Sequence, residues 1–272
     1  MKINCELPNC LLELNNDLNE YDFVLFHLYK SDPIYKKYYK EQRLKYPERL
    51  MIFDNSAYEF YIKGEVLNLQ EYTIAIDELK PDYYILPDKL MDFTTTFDYV
   101  DDFLGNYKIF NKKSQPMGVI QGKNEAELMK SIYKYTLRGI DAIAIPFHLK
   151  FYTEFGQNNI EIVQNFKEMF GVLNDDHKYS IGRINFIEKH KEILKNFEHI
   201  HILGSHYPLE KIYYNDFQTM DTGYPVKCGV VGYKLFEEPS KPDIIIDDFM
   251  NEEFSTHINN LITNNVEAFK LL

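Results

Sequence analysis

The fold of this chain is decided by the stretch Ile140-Asp141-Ala142-Ile143-Ala144-Ile145, in which all residues but one are apolar. A run this short and this apolar is typical of a strand in a parallel sheet, where helices cover both faces. Seven further strand-like runs occur in the chain, and amphipathic segments of helical period lie between them. A chain of 272 residues with this alternation is predicted to be α/β, a single (β/α)8 TIM barrel spanning residues 1–272.

The predicted elements are spread over most of the chain. The eight candidate strands are Phe23–Leu28, Leu50–Asp54, Tyr83–Pro87, Met117–Gln121, Asp141–Pro146, Lys178–Gly182, His199–Leu203 and Phe217–Asp221. The clearest helical stretches are Leu69–Leu79, Thr95–Leu104, Glu125–Arg138, Ile160–Phe170 and Phe186–Asn196. No linker or repeat divides the chain, which favours one domain.

Composition excludes several classes of protein. An apolar fraction of 45% excludes wholesale disorder, and no apolar run approaches the ~18 residues of a membrane helix. Near the N-terminus, Cys10-Leu11-Leu12 is too short for a signal-peptide core. Three cysteines without a Cys-x-x-Cys pair argue against a disulfide scaffold or a cysteine zinc site and favour a reducing cytoplasm. No glycine-rich phosphate loop is found, so no cofactor is expected.

Polar or turn residues follow five of the candidate strands. These ends are Asp54-Asn55-Ser56, Pro87-Asp88, Gln121-Gly122, Gly204-Ser205-His206 and Asp221-Thr222-Gly223. Barrel enzymes place their chemistry at the carboxyl ends of the strands, so these five ends are expected to converge. The alternative is that polar residues simply begin loops.

Asp54 and Asp221 follow the second and the eighth candidate strand. Two carboxylates that face one pocket can divide the work, one as nucleophile and the other as proton shuttle. Retaining glycosidic chemistry uses such a pair and passes through a covalent sugar–enzyme intermediate. Each Asp is equally well explained as a helix N-cap, and spacing alone leaves both interpretations open.

Four segments together resemble the tRNA-guanine transglycosylase superfamily. They are Asp54-Asn55-Ser56-Ala57-Tyr58, Met117-Gly118-Val119-Ile120-Gln121-Gly122, Leu203-Gly204-Ser205-His206-Tyr207-Pro208-Leu209-Glu210 and Met220-Asp221-Thr222-Gly223-Tyr224-Pro225-Val226. They resemble, in family order, the Asp-Ser-Gly-Gly-aromatic segment, the strand ending in Gln-Gly, the Gly-Val-Gly-Thr-Pro-Glu-Asp turn and the segment with the nucleophilic Asp. The resemblance covers Asp54 to Val226.

The chain departs from the tRNA enzymes in one respect that bears on its substrate. Those enzymes end in a zinc site of three Cys and one His, whereas only Cys228 lies in the last third of this chain. The chain is therefore closest in character to the zinc-free DNA 7-deazaguanine transglycosylases of bacteria and phages. This resemblance implies no zinc-binding subdomain, no metal, and replacement of guanine in DNA by a 7-deazaguanine base; action on tRNA is the alternative.

The resemblance also implies a role for each residue of the site. Asp221 would attack the sugar, and Asp54 would protonate the leaving guanine and deprotonate the incoming base. Asp88 would accept hydrogen bonds from the base, Gln121 would donate to its oxygen, and Tyr58 would stack on its ring. Gly122 and Gly204 belong to the same motifs and are expected to contact the substrate. The alternatives are a turn-starting Asp88, a barrel-lining Gln121 and a core aromatic at Tyr58.

A basic segment from Lys30 to Arg49 is the candidate nucleic-acid surface, because the chain as a whole carries a net charge of −12 and repels phosphate. Its basic residues include Lys36, Lys37, Lys40 and Arg43, with tyrosines between them. Such a mixture suits phosphate contact and base stacking on the loop side of the barrel. A solvated amphipathic helix that packs its tyrosines explains the segment equally well.

The expected partners are DNA in preference to tRNA, a free 7-deazaguanine base, and a duplex-opening helper protein or a second copy of the chain. No membrane partner is expected, and the location is the cytoplasm, that of the host if a phage encodes the chain. Two other functions stay open. His199 and His201 form the His-x-His of metal-dependent hydrolases, to which His148 and His206 would have to contribute, but those enzymes carry it on the first strand. A non-catalytic binding subunit would need neither Asp54 nor Asp221.

Overall fold

The computed structural model describes residues 1–147, 149–207, 209–214, 216–235, 237 and 242–271. The described strands are β1 (Lys2–Cys5), β2 (Asp22–Leu25), β3 (Met51–Asp54), β4 (Tyr83–Ile85), β5 (Gln115–Val119), β6 (Ala142–Ile145), β7 (His199–Ile202) and β8 (Thr219–Thr222). The described α-helices are α1 (Asn15–Leu18), α2 (Phe26–Ser31), α3 (Pro33–Lys45), α4 (Ala57–Lys63), α5 (Leu69–Leu79), α6 (Phe93–Asn106), α7 (Glu125–Leu137), α8 (Ile160–Phe170), α9 (Asp175–Leu194), α10 (Leu209–Tyr213), α11 (Tyr224–Val230) and α12 (Thr256–Leu271). Short 3₁₀ helices cover Asn9–Leu14, Lys150–Thr153 and Ile246–Asp248.

The eight strands form one parallel sheet in the order β1-β8-β7-β6-β5-β4-β3-β2. Chain order is kept from β2 to β8, and helices connect the successive strands. This is the arrangement of repeated βα units. The predicted fold class, α/β of the (β/α)8 barrel type, is confirmed.

The chain divides into two compact units. Unit 1 comprises Met1–Glu20, Lys150–Asn196 and Ile200–Leu272, and unit 2 comprises Tyr21–Leu149 and Phe197–His199. Unit 2 therefore carries strands β2 to β6, and unit 1 carries β1, β8 and most of β7. The organisation of residues 1–272 as a single domain stays a prediction.

The core of unit 2 is aromatic and ties helix α5 to the sheet. Phe26 lies edge-on to Phe53 and to Tyr72, with ring centroids 5.9 Å and 5.0 Å apart. The Tyr72 hydroxyl lies within hydrogen-bond distance of the carbonyl oxygens of Phe53 and Ile85, at 3.1 Å and 2.8 Å. Because these carbonyls belong to β3 and β4, one buried side chain fixes the helix against the strands that precede the predicted site.

In unit 1, helix α12 packs against α11, which follows β8. The buried Asn265 amide donates to the Tyr233 carbonyl at 2.9 Å, and its oxygen accepts from the Leu235 backbone N–H at 2.9 Å. Strand β1 pairs with β8 so that Asn4 lies opposite Asp221. The strand that carries Asp221 is thus supported by β1 along one edge and by the helix that follows it.

Seven of the eight candidate strands overlap a described strand, and one is wrong. Lys178–Gly182 lies inside helix α9, whose start is fixed by a capping box between Asn174 and His177. The missing strand is β1, Lys2–Cys5, which the sequence analysis did not identify. The first candidate strand was also too long, because helix α2 begins at Phe26.

Candidate active site

The end of strand β3 turns sharply into helix α4. Asp54 is the last residue of β3, and its Oδ2 accepts a hydrogen bond from the Ser56 backbone N–H at 2.7 Å. Asn55 Oδ1 accepts from the Ala57 N–H at 2.8 Å. Ser56 has φ of 59°, a left-handed conformation that costs a non-glycine residue about 1 kcal/mol or more. Its hydroxyl accepts from the His27 N–H and lies 2.9 Å from His27 Nδ1, so the strained turn is held from both sides.

Three strand ends of unit 2 meet at the Asp88 carboxylate. Asn55 Nδ2 donates to Asp88 Oδ1 at 2.8 Å, and Gln121 Nε2 donates to Asp88 Oδ2 at 2.7 Å. Asn55 also donates to the Leu86 carbonyl at 2.7 Å. These residues follow β3, β4 and β5, as expected for a parallel sheet whose carboxyl ends share one edge. We call Asn55, Asp88 and Gln121 the Asp88 cluster.

Asp88 has an unusual acidity for an aspartate. Burial raises the pKa of its carboxyl to about 6, and the hydrogen bonds from Asn55 and Gln121 only partly oppose this effect. The carboxyl is therefore a mixture of acid and carboxylate at slightly acidic pH and a hydrogen-bond acceptor above it. Perturbed acidity at a strand end is typical of functional sites, although structural networks also produce it.

Gln121 has protein partners at both ends of its side-chain amide. The sequence analysis assigned its amide donor to the oxygen of a base, whereas that amide donates to Asp88. Its Oε1 accepts from the Met91 N–H at 2.8 Å, and the side chain is buried. Gln121 therefore orients Asp88. Next to it, Gly122 lies against helix α7, where a Cβ atom would come within 2.6 Å of the Glu127 Cβ.

Tyr58 lies on helix α4, four residues after Asp54. The residue is 41% exposed, so the alternative of a core aromatic is wrong. An exposed aromatic ring next to a strand end is able to stack on a planar ligand.

Asp221 lies within strand β8 of unit 1 and is buried. Its Oδ1 accepts a hydrogen bond from the Gly204 backbone N–H at 2.9 Å and lies 3.0 Å from His201 Nε2. His201 Nδ1 in turn lies 2.9 Å from the Thr219 hydroxyl. The interpretation of Asp221 as a helix N-cap is not supported, because Gly223 is the N-cap of helix α11 and no side chain caps it.

The loop after β7 is held by a buried ion pair. Arg183 and Glu210 are fully buried, with Arg183 Nη2 2.6 Å from Glu210 Oε2. Burial alone would lower the pKa of the Arg183 guanidinium, but the Glu210 charge raises it above its ordinary value. Arg183 Nη1 also donates to the Leu203 carbonyl at 2.7 Å. Gly204 has φ of 62°, which glycine adopts readily, and this turn directs its N–H to Asp221.

Sequence reasoning missed several of these residues. Asn55 lay within a quoted motif but received no role, and Arg183 and Glu210 contact each other across 27 positions of sequence. The sequence analysis considered His201 as a metal ligand of a His-x-His pair and did not predict its hydrogen bond with Asp221. His199, two positions earlier on the same strand, packs against the Tyr83 ring, with ring centroids 4.6 Å apart.

The basic segment contains a helix. Residues Pro33–Lys45 form α3, and Tyr35 and Tyr39 are buried in it, as in the amphipathic-helix interpretation. Lys36 and Lys40 both form ion pairs with Glu78 of α5, at 2.8 Å and 2.7 Å. Three of the four cations predicted to bind nucleic acid therefore meet acidic partners on neighbouring elements, since Arg43 also pairs with Asp82 at 3.0 Å. Lys37 pairs only loosely, at 3.9 Å from Glu41, and is 76% exposed.

Metal ligation was the main alternative for the histidines. Among the described residues, no group of three or more His, Cys, Asp or Glu side chains has the arrangement of a metal site. His206 Nδ1 lies 3.9 Å from Asp176 Oδ2. His148 lies outside the described residues, as does Pro208 of the third motif. Within the part of the chain that the structure describes, no helix is both long and apolar enough to cross a membrane.

No protein-family model matches the sequence, and no curated protein matches it either.

Proposed function

We propose that this chain is a base-exchange transglycosylase that replaces guanine in DNA with a 7-deazaguanine derivative through a covalent aspartyl–sugar intermediate. The observation that carries the proposal is the Asp88 cluster, in which residues after three successive strands are hydrogen-bonded around one carboxyl. A carboxylate held in this way is suited to accept two hydrogen bonds from the N1–H and exocyclic amine of guanine or a 7-deazaguanine.

In the proposed reaction Asp221 acts as the nucleophile. A carboxylate oxygen forms a bond to C1′ of the deoxyguanosine, the C1′–N9 bond breaks, and its electron pair leaves with the base. Asp54 gives a proton to the departing guanine, which is a poor leaving group as an anion. The incoming 7-deazaguanine returns a proton to Asp54 as its N9 attacks C1′ and releases Asp221. The atoms balance without a metal or redox cofactor.

The glycosidic bond of a stacked nucleotide is out of reach, so the target base must leave the helix. Tyr58 is proposed to stack on it, and the exposed Lys37 to contact phosphate. DNA is preferred to tRNA because of the resemblance to the zinc-free branch. The cytoplasm is the proposed location, in keeping with the free cysteines Cys5, Cys10 and Cys228.

The first test is the division of labour between the two aspartates. Asp221→Asn is expected to abolish both the exchange of labelled guanine and the trapped sugar–enzyme adduct. Asp54→Asn keeps the attacking carboxylate and is expected to lower the exchange rate by about 10²–10⁴. The matched control is Asp98→Asn, an exposed aspartate on helix α6, which should exchange guanine at the wild-type rate. Appreciable exchange by Asp221→Asn would contradict the covalent mechanism.

The second test identifies the polymer. Nucleosides from the DNA and the tRNA of cells that express the chain are compared by mass spectrometry with those of cells expressing Asp221→Asn. The expected result is a modified deoxyguanosine that depends on Asp221. A modified guanosine confined to tRNA would replace the proposed substrate by the alternative one, and no modification in either polymer would contradict the proposed function.

A further inference from the structure

His201 and Asp221 form a buried pair that the proposed mechanism leaves unexplained. The His201 ring is fully buried, and its Nε2 lies 3.0 Å from Asp221 Oδ1. Burial of a polar ring requires partners for its nitrogens, and Thr219 supplies the second one at 2.9 Å. We propose that His201 is a positioning residue for Asp221, which fixes the carboxylate so that Oδ2 is the atom that attacks the sugar. The inference rests on the proposed function.

Both hydrogen bonds that the Asp221 side chain accepts from described residues fall on the same oxygen. The Gly204 N–H donates to Oδ1 at 2.9 Å, and His201 Nε2 contacts the same atom. A carboxylate held at one oxygen by donors from two directions loses its rotational freedom about χ2. Oδ2 is then presented in a fixed direction, which is the geometric requirement for an in-line displacement at C1′.

The two contacts of His201 fit one tautomer of its ring. A neutral imidazole that donates from Nε2–H to Asp221 must accept at Nδ1, and the Thr219 hydroxyl is placed to donate there. Thr219 and Asp221 are two positions apart on strand β8, so both of their side chains project from one face of it. The row Thr219–His201–Asp221 therefore spans two paired strands, β7 and β8.

The second donor to Oδ1 is fixed by the buried ion pair. Arg183 Nη1 donates to the Leu203 carbonyl at 2.7 Å. Arg183 Nε and Nη2 both donate to Glu210 Oε2, at 3.1 Å and 2.6 Å. The orientation of the Gly204 peptide N–H thus depends on a fully buried ion pair. Breaking such a pair is costly, which gives the loop one arrangement.

Positioning at Oδ1 suits both halves of the reaction. When Oδ2 forms its bond to C1′, Oδ1 becomes the carbonyl oxygen of an ester and remains an acceptor for the same two donors. Donors to that carbonyl stabilise the carboxylate that is released in the second step, in which the C1′–Oδ2 bond breaks. The same contacts therefore orient the nucleophile and improve it as a leaving group.

The test compares single-turnover formation of the covalent adduct in three variants. His201→Leu removes the donor and is expected to slow adduct formation by about 10- to 100-fold, with the KM for the incoming base unchanged. His201→Gln keeps an N–H donor and is expected to recover most of the rate. The matched control is His199→Gln, two positions earlier on the same strand, which should form the adduct at the wild-type rate.

A second readout needs no turnover. The ¹⁵N shifts of the His201 imidazole report its tautomer and are expected to show Nε2–H in the wild type, with a change at Nε2 in Asp221→Asn. Wild-type adduct rates in both His201→Leu and His201→Gln, or Nε2 shifts indifferent to Asp221→Asn, would overturn the inference. If the wild type forms no adduct, but its His201 Nε2 shift still changes in Asp221→Asn, the hydrogen bond between His201 and Asp221 stands and the proposed function is overturned.

Discussion

Asp88 shows how a single side chain combines two opposed physical effects. Burial disfavours its charged form, while the amide groups of Asn55 and Gln121 favour it, and burial prevails with a pKa of about 6. Because this value lies above that of an unfolded aspartate, the folded chain binds the proton more tightly. The contribution of this carboxyl to the free energy of unfolding is therefore fully present below about pH 4, and it is lost as the pH rises through 6.

The acidity of Asp88 predicts a pH profile for base exchange. If the carboxylate accepts hydrogen bonds from the base, kcat/KM should fall about tenfold for each pH unit below 6 and level off above it. Asp88→Asn should be slow at every pH and lack this inflection. Gln121→Leu removes one of the bonds that favour the charged form, so the inflection should move upward. The control Asp98→Asn should keep the wild-type profile. If Asp88→Asn keeps the inflection near pH 6, the ionisation belongs to another group.

Helix α3 shows why a basic sequence is not yet a basic surface. Although burial alone would raise the pKa of the Glu78 carboxyl, hydrogen bonds and charges from Lys36 and Lys40 lower it to about 2. Glu78 is thus ionised at all physiological pH values and neutralises part of the helix. Of the four cations predicted to bind nucleic acid, Lys37 is the one whose acidic partner, Glu41, is distant and exposed.

Removal of Glu78 should therefore strengthen nucleic-acid binding. Glu78→Gln releases Lys36 and Lys40, and the affinity for duplex DNA should rise, with a steeper fall as salt increases. Lys37→Glu should weaken binding and flatten the salt dependence by about one counterion. Fluorescence anisotropy over a salt series measures both. Glu192→Gln on helix α9, which releases Lys195 just after that helix, is the matched control and should have no effect. Binding indifferent to Glu78→Gln and Lys37→Glu would show that α3 is only a solvated helix.

Elements with a clear local signal were predictable from the sequence. Helices Leu69–Leu79 and Ile160–Phe170 occur with the predicted bounds, because Asn68 and Asn159 cap them and their apolar period is regular. Lys178–Gly182 was mistaken for a strand because its few residues have a strand-like pattern inside a helix of twenty. Strand β1 was missed because Lys2–Cys5 is too short to show any period, and its pairing with β8 is a long-range contact.

The candidate site was predictable only where a residue type carries its own signal. Asp88 and Gln121 follow apolar runs, so their convergence could be expected from the sheet. The partners of Asp221 could not be predicted in this way. His201 and Asp221 are twenty positions apart in sequence, and their contact depends on the register of two paired strands. Nothing local to Gln121 indicates that its amide donates to Asp88.

At the scale of the whole molecule, the question is whether a metal contributes to stability. The resemblance to the zinc-free branch rests on the scarcity of cysteine. Burial raises the pKa of the Cys228 thiol to about 11 and that of Cys5 further still. A thiol must lose its proton to bind zinc, so zinc binding at either site would release a proton. The third cysteine, Cys10, lies partly exposed near the N-terminus.

The expected outcome is a protein whose stability and base exchange are independent of zinc. Metal analysis of the purified chain should find substoichiometric zinc, and dialysis against a strong chelator should leave both Tm and the exchange rate unchanged. A structural zinc site typically contributes about 10 kcal/mol or more to folding, so its removal would lower Tm by an amount that is easily measured. Cys228→Ser is a second check: at a buried site without metal it should cost only the modest free energy of burying a hydroxyl. One tightly held zinc per chain, released together with a large loss of Tm, would contradict the prediction and favour the tRNA-acting branch.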